Sequence, residues 1–274
     1  MPAQPIFIVS SGRSGTAMLH KVLCAKPDVE MHHEYAVQIT QPLAVKRYLG
    51  LIGEADARAA IAESFGAAVH YSQARLWGDS SNKLSWLIDD LAALFPAARF
   101  VHLVRDGRKV ASSYFHKLGA ENYDDRSNAI LQAHYDGTGQ IPPPEKPYWW
   151  PVPRRDDPMA GAFRGFDQFQ RICWHWAEIN RVILASLAAL PPERTLFARL
   201  EDLVQSPSEV RGLLEFLDLD YQDSDFAAFA RPHNVNRPQD HLLTDFQRGQ
   251  FDTIAAPMMA RLGYGGRAEY AVNY

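Results

Sequence analysis

Cysteine is nearly absent. Cys24 and Cys173 are the only two in 274 residues, too few and too far apart for a disulfide framework, and no Cys/His spacing suits zinc. Long apolar runs are missing as well. No stretch approaches the roughly 18 apolar residues of a membrane span, and the opening MPAQPIFIVSSG has no basic n-region before an apolar core. Basic blocks are also lacking: the net charge is −4, with no Lys/Arg stripe of the kind that tracks a nucleic-acid backbone. These absences give the expectation of a cytoplasmic chain with reduced thiols, no membrane anchor and no nucleic-acid partner. Repeats, low-complexity tracts and clear linkers are absent too. A hydrophobic share of 47% is ordinary for a globular protein, so one domain over residues 1–274 is expected.

What is present alternates between strand and helix patterns. Pro5 to Val9 is a short β-prone run that stops at Ser10-Ser11-Gly12-Arg13-Ser14-Gly15. A helix pattern starts near Thr16, with Met18, Leu19, Val22 and Leu23 on one face. Asp28 to Met31 reads as a further strand, and residues 54–66 and 84–95 as helices. Arg99 to Val104, apolar on both faces, suits a buried parallel strand. Arg105-Asp106-Gly107 leads from it into a helix reaching roughly Lys117. Residues 118–160 carry Tyr123, His134, Tyr135, Tyr148, Trp149 and Trp150 among Gly and Pro, and read as a long irregular insertion. A helix over roughly 163–189 follows, with Trp174 and Trp176 facing the core, then a strand at Thr195 to Ala198. The remainder is helical to about Leu262, interrupted near Arg231-Pro232-His233-Asn234. The fold class is therefore α/β, a P-loop-like central parallel sheet flanked by helices.

Two segments carry chemistry. A turn between a strand and a helix N-terminus offers unpaired N–H groups and a favourable dipole to an anion, and Gly12 and Gly15 allow close approach. A nucleotide-triphosphatase loop needs G-x-x-x-x-G-K-[ST]. Here Ser10 stands at the first glycine, Thr16 at the lysine and Ala17 at the magnesium-binding hydroxyl. Arg13 supplies a cation from within the loop instead. The pattern points to a phosphate-bearing donor handled without a metal; alone it also fits a plain glycine-rich turn with an exposed arginine. The second segment ends the buried strand at Arg105, on the sheet edge where open α/β folds bind ligands. Ser113 follows one to two helical turns on. A guanidinium fork and a rotatable hydroxyl together make a phosphate clamp.

Taken together these segments resemble the sulfotransferase family that uses 3′-phosphoadenosine-5′-phosphosulfate (PAPS), in its bacterial and Golgi-like branch. Ser11-Gly12-Arg13-Ser14-Gly15-Thr16 is similar to that family's 5′-phosphosulfate loop. Phe95 through Arg108 to Ser113-Tyr114 is similar to its strand and helix for the 3′-phosphate. Arg199-Leu200-Glu201-Asp202-Leu203 and Leu262-Gly263-Tyr264 resemble later family segments. The resemblance implies that Arg13 grips the leaving phosphate and that Ser11, Gly12, Ser14, Gly15 and Thr16 donate to it. It implies that Arg105 and Ser113 take the 3′-phosphate, with PAP as product. It further implies sulfuryl transfer to a hydroxyl or amine of an acceptor, and a small-molecule acceptor is expected.

Transfer needs a base. Glu34 is the first candidate and His33 the second, both in Met31-His32-His33-Glu34-Tyr35; His102, inside an apolar strand, reads as a core histidine. Ala17 departs from the family by lacking a hydroxyl. The family's Lys-Ser/Thr-Pro step falls near Gly78, where this chain has Gly78-Asp79-Ser80-Ser81-Asn82-Lys83, and Lys83 is the candidate substitute. Arg237 is a further candidate near the nucleotide. Two other readings fit part of the pattern: a P-loop kinase, against which the missing Lys and hydroxyl argue, and a PAP- or PAPS-binding protein without transfer activity, from which an intact base would separate it.

Overall fold

In the computed structural model, residues 2–119, 121–230 and 242–269 are described. Arg237 and the Arg231–Asn234 interruption lie outside them. Five strands form one fully parallel sheet: β1 (Gln4–Val9), β2 (Val29–His33), β3 (Leu76–Ser80), β4 (Arg99–Val104) and β5 (Thr195–Arg199). Their spatial order is β2-β3-β1-β4-β5, so the α/β fold with a flanked parallel sheet is as expected. Alternation along β1 explains the layering, since successive side chains point to opposite faces. Phe7 and Val9 enter one core with Trp77, Phe100 and the helix Gln168–Leu187. Ile6 and Ile8 enter the other with Leu19, Leu23, Val101 and Leu103.

β3 carries no strand signal in the sequence, because Gly78, Asp79 and Ser80 are turn formers. Its centre is crowded instead: a Cβ on Gly78 would lie 2.5 Å from Ile6 and 2.6 Å from Met31. Only glycine lets β1, β2 and β3 close at that point. The helix Val37–Tyr48 is likewise absent from the sequence reading. The insertion is not irregular throughout. Asp124 caps a helix at Asp125–Tyr135 by accepting from the Ser127 amide, and Tyr123, Tyr135, Trp149 and Trp150 are buried in the main core. Trp174 and Trp176 are buried as expected. Among the described residues no helix is long and apolar enough to cross a membrane.

Candidate active site

The loop after β1 and the turn after β4 meet at the C-terminal edge of the sheet. Gly12, Arg13 and Gly15 all have left-handed φ, at 79°, 56° and 90°. That curl turns successive amides to the same side, the arrangement that makes an anion-binding nest. The backbone N–H groups of Arg13, Ser14, Gly15 and Thr16 find no acceptor among the described residues. The side-chain hydroxyls behave differently. Ser11 Oγ and Ser14 Oγ lie 3.0 Å apart and both reach the Gly12 carbonyl. They brace the loop from within, leaving the backbone as its outward donor set. Ser85 fixes the loop's start, donating to the Ser10 carbonyl and accepting from its amide. Tyr114 Oη donates to the Ser11 carbonyl at 2.9 Å. A Cβ on Gly12 would lie 2.1 Å from that hydroxyl, so this position excludes every other residue.

Arg13, Arg105 and Ser113 come together. Arg13 Nε donates to Ser113 Oγ at 2.9 Å, and Arg105 Nη1 donates to the Arg13 carbonyl at 3.1 Å. The Arg105 turn is held from behind. Glu201 Oε1 accepts from the Asp106 amide at 2.9 Å and its Oε2 accepts from Tyr264 Oη at 2.7 Å. Arg199 donates to the Leu262 carbonyl at 3.0 Å. The two late segments Arg199–Leu203 and Leu262–Tyr264 thus touch each other and brace the β4 turn.

Glu34 lies where β2 ends. Its amide donates to the Ser80 carbonyl at 3.2 Å, and its left-handed φ of 58° turns the carboxylate into the cleft. Lys83 Nζ donates to Glu34 Oε1, and Lys146 Nζ is 3.9 Å from Oε2. Lys146 comes from the insertion, whose backbone is docked by Gln41 donating to the carbonyls of Lys146 and Trp149. Burial alone would raise the Glu34 carboxyl, but the Lys83 charge and hydrogen bond, with Lys146, hold it below its ordinary value. Burial brings Lys83 down to about 8, against the pull of Glu34. His33 stands beside them with Nδ1 2.8 Å from the Ser80 carbonyl. Facing a carbonyl, Nδ1 is the donor of that bond. His102 is fully buried in β4 with Nε2 2.9 Å from Asn180 Oδ1, a core residue as expected; burial lowers it to about 4.

Lys146 gave no signal in the sequence, since only tertiary docking of the insertion brings it to Glu34. Lys83 is visible in the sequence as the candidate substitute for the lysine step near Gly78. Ser81 and Asn82 separate it from the end of β3, and it stands immediately before the short helical turn Leu84–Trp86, with Nζ on Glu34.

A five-stranded parallel sheet flanked by helices, with a glycine-containing loop after its first strand, is an α/β fold of the P-loop kind. The sequence model of the sulfotransferase family matches residues 5–140, which include the loop, Glu34, Lys83, Arg105 and Ser113. That match, over the N-terminal part of the sequence, supports a sulfotransferase family for this chain. Among solved structures it is similar in fold to a sulfotransferase from Alicyclobacillus acidocaldarius. The TM-score is 0.53 at 14% identity, over 96% of this chain and 94% of that one. A sulfotransferase from Mycobacterium avium gives a TM-score of 0.50 at 11% identity, over 95% of this chain and 77% of that one. No curated protein matches the sequence.

Proposed function

We propose that this protein transfers a sulfuryl group from PAPS to a hydroxyl or amine of a small-molecule acceptor. The observation that carries the reading is the joined set of Arg13, Arg105 and Ser113 beside loop amides with no internal acceptor. Two anion subsites in one cleft suit a nucleotide with phosphates at both its 5′ and 3′ ends. The loop amides and Arg13 take the 5′-phosphosulfate; Arg105 and Ser113 take the 3′-phosphate. The acceptor attacks sulfur in line as the bond from sulfur to the bridging phosphate oxygen breaks. That oxygen leaves with the electron pair as part of 3′-phosphoadenosine-5′-phosphate (PAP). The acceptor's proton passes to Glu34, which its lysine partners hold ionised and ready to accept. Lys83 and Arg13 offset charge on the transferring and leaving oxygens, the main protein contribution to such displacements. Thr16 and Ala17, in place of the lysine and the metal-binding hydroxyl, support a reaction that needs no magnesium.

Calorimetry with PAP and transfer from labelled PAPS across phenol, sugar and amine acceptors test the reading. PAP binds the parent protein and binds Arg105→Ala far more weakly; Glu34→Gln binds PAP but loses transfer; a chelator changes neither. Equal PAP affinity in Arg105→Ala, or magnesium-dependent ATP turnover, would overturn it.

A further inference from the structure

Beneath the Glu34–Lys83 pair lies a third ionisable group, Asp79. It sits in β3 with no exposed surface, opposite His32 of β2 and Phe7 of β1. Asp79 Oδ1 accepts from the Tyr35 amide at 3.0 Å. The peptide on either side of Glu34 is therefore pinned to β3: Glu34 N to the Ser80 carbonyl and Tyr35 N to Asp79. That turn is strained. Glu34 and Ala36 both have left-handed φ, at 58° and 48°, each costing about 1 kcal/mol for a non-glycine residue. The strain persists only where surrounding bonds hold it.

An amide acceptor alone needs no charge, and asparagine would serve. Asp79 Oδ2, moreover, is buried and makes no hydrogen bond among the described residues. A buried carboxylate with a free oxygen is costly, and burial pushes this one up to about 6. The Tyr35 and Ser80 amides favour the carboxylate most, and neighbouring charges act after them. From β2 and its turn, His32 favours the carboxylate and Glu34 opposes it. On Lys83, both Glu34 and Asp79 favour the ammonium form while Lys146 from the insertion opposes it. His33 acts on Glu34; Arg13 and Glu34 act on Tyr114 from the helix Gly107–Leu118; His175 from the helix Gln168–Leu187 is held neutral by burial. Two carboxylates, Glu34 and Asp79, thus balance two ammonium groups, Lys83 and Lys146.

We propose that Asp79 is a positioning residue for the transfer reaction, holding through the Tyr35 amide the turn that presents Glu34. This rests on the reading of Glu34 as base with Lys83 as its cation. Asp79→Asn keeps the shape and the acceptor for Tyr35 but removes the charge; Asp79→Ala removes both.

Transfer is measured with an acceptor from the labelled-PAPS screen, and PAP binding by calorimetry. Asp79→Ala, which removes the acceptor of the Tyr35 amide, lowers kcat about 10-fold to 100-fold while PAP affinity stays within about 2-fold. Asp79→Asn, which keeps that acceptor, retains kcat within about 3-fold. Parental kcat in Asp79→Ala overturns the proposal. A loss of kcat of about 10-fold or more in Asp79→Asn also overturns it, and decides even if Asp79→Ala does not fold. PAP affinity falling in step with kcat in both variants overturns it as well. Full transfer by Glu34→Gln sinks the underlying base assignment instead, a result separate from the Asp79 variants.

Discussion

Arg13 Nε donates to Ser113 Oγ at 2.9 Å, across a hundred residues of sequence. On the proposed reading, the cation of the 5′-phosphosulfate subsite is seated on the hydroxyl of the 3′-phosphate subsite. Ser113→Ala releases the guanidinium and removes one phosphate donor. PAP affinity is expected to fall about 10-fold, the worth of one charge-assisted hydrogen bond. Arg105→Ala, which removes a charge and the tie to the Arg13 carbonyl, is expected to cost about 100-fold. Calorimetry with PAP checks both, and Ser113→Thr is expected to retain most of the affinity.

Gly12→Ala places a methyl group against Tyr114 Oη and forces a side chain into left-handed backbone. Stability is expected to fall by about 2 kcal/mol or more. Adding Tyr114→Phe removes the clashing atom, so the double variant recovers part of the loss in urea denaturation. The recovery is incomplete because the hydrogen bond to the Ser11 carbonyl goes with the hydroxyl.

Glu201 is expected to influence nucleotide binding without touching the nucleotide. It holds the Asp106 amide, one residue beyond Arg105, and is itself held by Tyr264. Glu201→Ala leaves a buried amide unpaired, at a cost of about 1–3 kcal/mol. Weakened PAP binding together with a lower melting temperature is the expected outcome. Tyr264→Phe gives a smaller effect in the same direction.

Two buried histidines set the acid limit of stability. Burial lowers His102 to about 4 and His175 to about 3, both from an ordinary 6.5. Below pH 6.5 the unfolded chain takes up protons at these positions while the folded one does not. Stability is therefore complete above pH 6.5 and is lost progressively as the pH falls toward 4 and 3. Urea unfolding of His102→Gln, whose amide preserves a donor to Asn180, is expected to show a shallower loss between pH 6 and 4 than the parent.

The fold was readable wherever one local pattern decided it. β1, β4, β5 and the loop helix announce themselves by apolar runs and periodicity. β3 does not, because its residues were selected by what they pack against: Gly78 by Ile6 and Met31, Asp79 by the Tyr35 amide. Arg13, Arg105 and Ser113 were legible from loop chemistry and spacing, and the structure brings them into contact. The roles of Glu201 and Lys146 were not, since both depend on contacts between segments far apart in sequence. The insertion read as irregular from its Gly and Pro, yet burial of Tyr123, Tyr135, Trp149 and Trp150 makes it largely a packing element that also brings Lys146 to Glu34.

The strand order β2-β3-β1-β4-β5 also governs how the protein is made. β1 is synthesised first, yet its two neighbours begin only at Leu76 and Arg99. Parallel pairing over such separations closes long loops before any contact rewards them. The phosphate loop therefore emerges early and stays without its Arg105 and Ser113 partners while about a hundred further residues follow. The brace of the Arg105 turn from Glu201 and Tyr264 arrives last of all. On the proposed reading, anion affinity is acquired late, as a property of the assembled sheet, and a fragment ending before β4 would carry the loop sequence without its Arg105 and Ser113 partners.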